Sequence, residues 1–562
     1  MKKIINILFV ALTSIVLSGC AGAMRNYDRE MSGTLGHIQS GNLDESLKEI
    51  ESNNKFGDKD LLYFLEKSEI LSLNGKTTES LELRLLADEK VKIWEQEAQF
   101  NPQMLLGNIG SVVVNDKVRR YDGRDYEKVF LNNRIAVNHL ELGDWEKARV
   151  EIKKMHEREA IIADFRAKEI DDAERKASEK GITTTYNDLA GYPVELLNDP
   201  AVIALKNGYQ NAFSHYLAGF IYESLGEKSL SSAGYRQAIE LRPDVGLLKE
   251  ALVNLDGVKV SPIQEIKTVI QITPVEQPKA QAKTKNKSKT KTKSLKNNQI
   301  DNNVVISPTP NNKNIEDPVA PLIPINETDT LIIFESGTAP SFKSVQIPIP
   351  LPLSGHIVVS PISFPVVETH SDNVQYNKVV IGNTTVELSE IVDFNLMAKR
   401  ALKDEMPGIV TRSIVRAISK VVAQQAANKK DDSGVTGLLL LIGGLMMEGA
   451  DERTWRTLPS TISIGRAHFA EGTYKLIADS SFGKIEQEVK ISGKNKIILV
   501  RQLGNTVSIQ TSKTFEEAQA EIASNKAIEK SNAEDIKSAP DNAEKTNLIK
   551  KWFDKLNLKN TE

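Results

Sequence analysis

The pattern of apolar and polar positions changes twice along the chain. In His215–Asp244, HYLAGFIYESLGEKSLSSAGYRQAIELRPD, Tyr235 and Ala238 lie three apart and share a helix face. Trp145 to Lys180 lacks proline and glycine, and Val150, Ile152, Met155, Ile162, Phe165 and Ile170 supply an intermittent apolar stripe. That stretch predicts one long helix, roughly 45 Å for about 30 residues, stopped by Gly181. It either projects as a paddle for a partner or folds back on its neighbours. After Lys279–Lys296, which offers almost nothing to bury, strand patterns take over. Thr330–Glu335 reads as a strand, and Tyr376–Ile381 with Thr384–Leu388 reads as a hairpin around Gly382-Asn383. Ser460–Ile464, Thr473–Ala478, Lys484–Ile491 and Lys496–Val500 follow as short strands suited to a small β-sandwich. Pro348, Pro350 and Pro352 alternate with aliphatic residues, which predicts an edge or an extended arm.

A helical insert interrupts those strands. Val410, Ile414, Ala417, Ile418 and Val421 form one face, with Arg412, Arg416 and Lys420 opposite as a basic stripe, read as a solvated face with phosphate binding as the alternative. Val435–Ala450, VTGLLLLIGGLMMEGA, is too short to cross about 30 Å of hydrocarbon. It reads as a buried hairpin helix, with insertion into a membrane or a partner groove as the alternative. The resulting class is α+β: helical repeats over 27–257, a disordered linker over 258–328, and a β-sandwich-like domain over 329–510 with a helical insert at 394–450. A charged tail over 511–562 ends in the apolar face Ile549, Trp552, Phe553 and Leu556.

Glycines measure the helical part. Gly41 and Gly75 lie 34 apart, Gly75 and Gly143 lie 68 apart, and Gly143 and Gly226 lie 83 apart, so an insertion breaks the series. In the His215–Asp244 segment, Gly219, Tyr222, Gly226, Tyr235, Ala238 and Pro243 stand at the spacings of a tetratricopeptide repeat, a 34-residue helix–turn–helix unit. Gly219 allows a close helix approach, Gly226 suits the turn, and Pro243 ends the second helix. Such arrays stack into a concave surface that usually binds proteins or peptides.

The start of the chain sets the expected compartment. Lys2 and Lys3 precede an apolar run, Ile4–Val16, and small residues lead to Cys20. This is the form of an export signal. Leu17-Ser18-Gly19-Cys20 resembles the lipobox of bacterial lipoproteins, which implies a signal peptide over 1–19, an acylated Cys20 and a tether over 20–26. A free thiol after an ordinary secretory signal is the alternative. Cys20 is the single cysteine among 562 residues, so no intrachain disulfide forms. Ala21 stands where an Asp would favour inner-membrane retention, so the resemblance implies the outer membrane, facing the periplasm. The formal charge of −3 argues against a nucleic-acid partner. The Lys-rich Lys279–Lys296 suits either an anionic surface or a solvated spacer.

Tyr121, Asp122, Arg124, Asp125, Tyr126 and Glu127 crowd polar and aromatic groups together as a structural hydrogen-bond network or, alternatively, a catalytic cluster. With LGDWEKA and HYLAGFIYESLG this stretch resembles a family of uncharacterised bacterial lipoproteins with tetratricopeptide-like repeats. The resemblance extends into the C-terminal half and implies an architecture rather than an activity. His37, His139, His156, His215, His356, His370 and His468 are scattered and form no HExxH pattern, and no phosphate loop, nucleophile turn or dinucleotide fingerprint is present. The expectation is therefore a non-enzymatic scaffold or assembly factor of the cell envelope, without metal or cofactor. It would be attached to the membrane through Cys20 and bind envelope proteins or peptides, with peptidoglycan or anionic lipid as further candidates. An accessory to cell-wall synthases is a narrower form of that expectation. The competing expectation is an envelope enzyme, or a glycan- or peptidoglycan-binding protein, acting through the β-rich domain.

Overall fold

The computed structural model describes residues 27–54, 59–102, 105, 120–256, 327–353, 356–370, 375–428, 449–480 and 483–524. Cys20 with the rest of the signal, the linker from 257 to 326, residues 435–448 of the apolar run and the tail from 525 onward lie outside them.

Helices form where the apolar period predicts them. They pair as α1 (Tyr27–Gln39) with α2 (Leu43–Asn53), α3 (Leu61–Leu73) with α4 (Thr77–Phe100), and α5 (Asp125–Glu141) with α6 (Trp145–Lys180). After the short helix α7 (Pro200–Ala204) come α8 (Ala212–Ser224), α9 (Lys228–Leu241) and α10 (Gly246–Asp256). Gly41, Gly75, Gly143 and Gly226 each turn a pair with a positive φ, between 69° and 83°, where a side chain would strain the backbone. Helix α6 has the predicted bounds. The Asp144 side chain accepts from the Lys147 amide at its start, and Gly181 closes it in the left-handed region. The helix folds back rather than projecting: Ile152, Met155, Ile162 and Phe165 are buried.

The remaining chain forms three sheets. A five-stranded sheet has the order β11 (Thr506–Thr511), β10 (Asn495–Leu503), β1 (Glu327–Ser336), β7 (Thr461–Ala470), β6 (Ser389–Asp393). A four-stranded sheet has the order β5 (Thr384–Glu387), β4 (Lys378–Ile381), β8 (Gly472–Ser480), β9 (Gly483–Ile491). The predicted proline arm is β2 (Ser341–Leu353), which pairs with β3 (His356–Glu368) as a two-stranded ribbon that places Pro348 opposite Pro361. Helix α11 (Phe394–Asn428) is the described part of the helical insert. From Gly449 to Ser460 the chain is irregular.

Two expectations are corrected. The helical and β-rich segments do not fold as separate bodies, and the sandwich is only half of the β architecture. Strand β1 pairs with β10 in parallel, and both are apolar on both faces, as buried parallel strands are. Ile332, Phe334, Ile498 and Val500 face the four-stranded sheet, forming the sandwich. Leu331, Ile333, Ile497 and Leu499 face the other way, into a core shared with α5, α8 and α11. The molecule's described part is thus layered as helices, five-stranded sheet, four-stranded sheet. The basic stripe of α11 is corrected too: Arg412 donates to Glu169 of α6 at 2.8 Å, and Arg416 is buried.

Candidate functional site

The repeat residues meet where α8 crosses α9. A methyl on Gly219 would stand 2.5 Å from the Tyr235 ring, and one on Gly234 would stand 2.8 Å from the Gly219 amide nitrogen, so the pair admits no larger residue there. Tyr222, Tyr235 and Ala238 are buried. Gly226 makes the turn, and Pro243 follows the helix end at Leu241. Tyr235 also reaches the sheet. Its hydroxyl donates to Glu223 at 2.5 Å and accepts from Arg466 of β7 at 3.0 Å.

The inner face of the array is filled by the chain itself. Every residue of α5 is buried, and so is α8 from Ala212 to Tyr222, whereas a free array would leave one face of each to water. An irregular segment, 451–458, lies against α3 and α5, held by two buried carboxylates. Glu66 accepts from the amides of Arg456 at 2.6 Å and Thr457 at 3.0 Å, and from the Tyr27 hydroxyl at 2.7 Å. Glu127 accepts from the Trp455 amide at 2.7 Å, the Thr454 hydroxyl at 2.8 Å and the Tyr121 hydroxyl at 2.5 Å. Trp455 is wholly buried. A segment without strand partners must satisfy its amides elsewhere, and these carboxylates do so. Burial still pushes Glu66 up to about 7, against the hydrogen bonds it accepts.

Beside this segment an ion relay joins helices to sheet. Arg84 meets Glu69 at 2.6 Å, Arg134 meets Glu69 at 2.9 Å, and Arg134 grips Glu335 of β1 with two bonds of 2.8 Å. Arg501 of β10 lies 3.8 Å from Glu335. All five side chains are 1–3 % exposed.

A different arrangement opens to solvent nearby. A polar cleft of about 170 Å³ lies between the start of α5, α6 and α11, with Trp94, Tyr121, Phe165 and Pro365 among its walls. Arg166 donates to Glu405 at 2.7 Å and pairs with Asp125 at 2.5 Å and with Glu169. Arg124 donates to the carbonyls of Asp451 at 3.1 Å and Arg453 at 3.2 Å, while its Nη1 stands 3.6 Å from Glu405. Burial works against the Arg124 charge, but Glu405, Tyr121 and Asp451 outweigh it and raise its pKa. Burial raises Glu405 despite Arg166 and Arg124. Asp125 and Glu169 are held below the usual carboxylate range, Asp125 by Arg166 and Lys128, Glu169 by Arg166 and Arg412, in each case against the effect of burial.

Two solved structures share a partial likeness. One is a tetratricopeptide repeat protein from Parabacteroides merdae, at 13 % identity, covering 41 % of this chain and 99 % of that one, with a TM-score of 0.12. The other is the C-terminal part of a TPR repeat-containing protein from Cytophaga hutchinsonii, at 14 % identity, covering 39 % and 84 %, with a TM-score of 0.12. Likenesses this distant add nothing to the helix-pair geometry described above. No protein-family model matches the chain, and no curated protein matches it.

The polar cluster read from the sequence divides between two tasks. Tyr121, Tyr126 and Glu127 hold the 451–458 segment, with the Tyr126 hydroxyl 3.1 Å from that of Thr454. Asp122 and Arg124 line the cleft. Arg166 and Glu169 join them from α6, and Glu405 and Asp451 from segments hundreds of residues further on, so no spacing in the sequence announces the set. Among the described residues no cluster of three or more His, Cys, Asp or Glu side chains is arranged to hold a metal ion, and no helix is long and apolar enough to cross a membrane.

Proposed function

We propose that the protein is a lipid-anchored, non-enzymatic adaptor of the bacterial cell envelope, held through acylated Cys20, most simply at the outer membrane on the periplasmic side. Two acyl chains suffice for stable anchoring. The seven residues from Cys20 to Tyr27 reach at most about 24 Å, so α1 would stay close to the bilayer. The reading is supported by the lipobox-like Leu17-Ser18-Gly19-Cys20 and by the outer surface of the array. Because the inner face is occupied by the chain, protein partners would dock outside it. The observation that carries this is a row of apolar residues along one face of α4, Leu86, Ile93 and Phe100, seven apart with Glu89, Lys90, Gln96 and Glu97 between them, which are 49 %, 48 % and 84 % exposed. Apolar anchors spaced one heptad apart within a polar helix face suit a partner that meets the whole length of α4.

The test is crosslinking in intact cells followed by fractionation. A stoichiometric envelope partner should be captured by the parent chain and lost in Leu86→Asp with Ile93→Asp, and Cys20→Ser should leave the membrane fraction. Unchanged membrane association of the processed Cys20→Ser chain would overturn the anchor. Turnover of wall fragments by the purified chain would overturn the non-enzymatic reading.

A further inference from the structure

The cleft has features that a purely structural ion network does not require. It is open, and its volume of about 170 Å³ has room for roughly a dozen waters. Trp94 and Phe165 meet edge to face at 5.5 Å and give it an apolar wall. Arg124 and Glu405 face each other across 3.6 Å, beyond hydrogen-bond length. Arg124 commits Nη2 to two backbone carbonyls, which leaves Nη1 as the guanidinium nitrogen toward Glu405. The Arg124 guanidinium cannot simply swing away, since it lies 3.8 Å over the Phe342 ring. Glu405 is equally fixed, with one oxygen held by Arg166 at 2.7 Å.

We propose that the cleft binds a small zwitterion, a free amino acid or a dipeptide, with its carboxylate at Arg124 and its ammonium at Glu405. The lining carries both signs, Arg120, Lys128 and Arg412 beside Arg124 and Arg166, and Asp122, Glu169 and Asp451 beside Glu405. An anion placed at Arg124 also meets Glu405, and a cation placed at Glu405 also meets Arg124 and Arg166. A ligand carrying both charges offsets each of those repulsions with an attraction. The Phe165 side of the wall would take the ligand's side chain, since the Lys128 ammonium lies 3.4 Å over the Trp94 ring. This binding is independent of the adaptor reading, whose surface is the outside of α4.

The experiment is calorimetric titration of the detergent-solubilised full-length chain with three probes: alanylalanine, its N-acetylated form and its C-terminal amide. Alanylalanine should bind saturably, and each blocked form should bind at least tenfold more weakly. Glu405→Gln should lose the discrimination against the acetylated form and keep that against the amide. Equal binding of the three probes to the parent chain, or no saturable binding of alanylalanine up to about 10 mM, would sink the proposal whether or not the variant folds.

Discussion

The buried relay and the open cleft are made of the same chemistry and differ in how they are finished. In the relay, Arg134 and Glu335 meet through two bonds of 2.8 Å and are 3 % and 1 % exposed. In the cleft, Arg124 and Glu405 stand 3.6 Å apart and are 10 % and 14 % exposed. The relay is closed to water, its three arginines sharing Glu69 and Glu335, and it ties α3, α4 and α5 to β1 and β10. The cleft keeps one pair apart beside solvent, each group held on its other side, Arg124 by two carbonyls and Glu405 by Arg166. An Arg–Glu pair in this molecule is therefore a lock where closed and a candidate binding element where open.

Breaking the lock should have the largest effect. Glu335→Ala leaves Arg134 and Arg501 facing a buried gap, and denaturant unfolding should show a loss of about 3–5 kcal/mol. A loss below about 1 kcal/mol would mean that the relay is no tighter than the cleft. Next in size is Gly219→Ala, which tests the helix pair that carries Tyr235 to Arg466. Overpacking against the Tyr235 ring should cost roughly 1–3 kcal/mol, read as a lower thermal midpoint.

The relay's edge makes a pH prediction. Burial raises the Glu141 carboxyl to about 7 from an ordinary 4.5, although Arg84 and Arg134 pull it down. A folded state that holds this proton more tightly than the unfolded chain is favoured by acid. The contribution is full below about pH 4.5 and is lost as pH rises through about 7. Glu141→Gln, which keeps the neutral form at every pH, should gain on the parent chain as pH rises from 5 to 8 and match it near pH 4.5; a parallel pair of stability curves would refute this. The smallest effect belongs to the cleft. Glu405→Gln should change stability by about 1 kcal/mol or less, since water and the remaining hydrogen bond to Arg166 compensate. That small change should shrink further in 1 M salt, while the Glu335→Ala loss persists.

Local signals carried most of the elements. Asp144 and Gly181 cap α6 at the residues where the periodicity starts and stops, and Gly382-Asn383 marks the β4–β5 hairpin, because each depends on neighbours in the chain. Strand β3 went unread: its prolines at 361 and 365 weaken any strand pattern, and only its pairing with β2 forms it. Strand β11 was also missed, since Thr506–Thr511 is largely polar and pairs with β10 by proximity. The cleft was legible in part, at Tyr121, Asp122 and Arg124, while Arg166, Glu405 and Asp451 were not.

The sequence by itself determined the helix pairs, through left-handed glycines and the small residues at the α8–α9 crossing, because turn geometry and close packing act over a few residues. It also carries the lipobox-like segment from which anchoring is inferred. Only the tertiary structure decided that Trp455 and its flanking segment fill the inside of the array. It also decided that one sheet is buried from both sides, and that Arg124 stops short of Glu405. Those outcomes follow from burial between segments distant in the chain, where each apolar face and each charge takes the partner that folding brings to it.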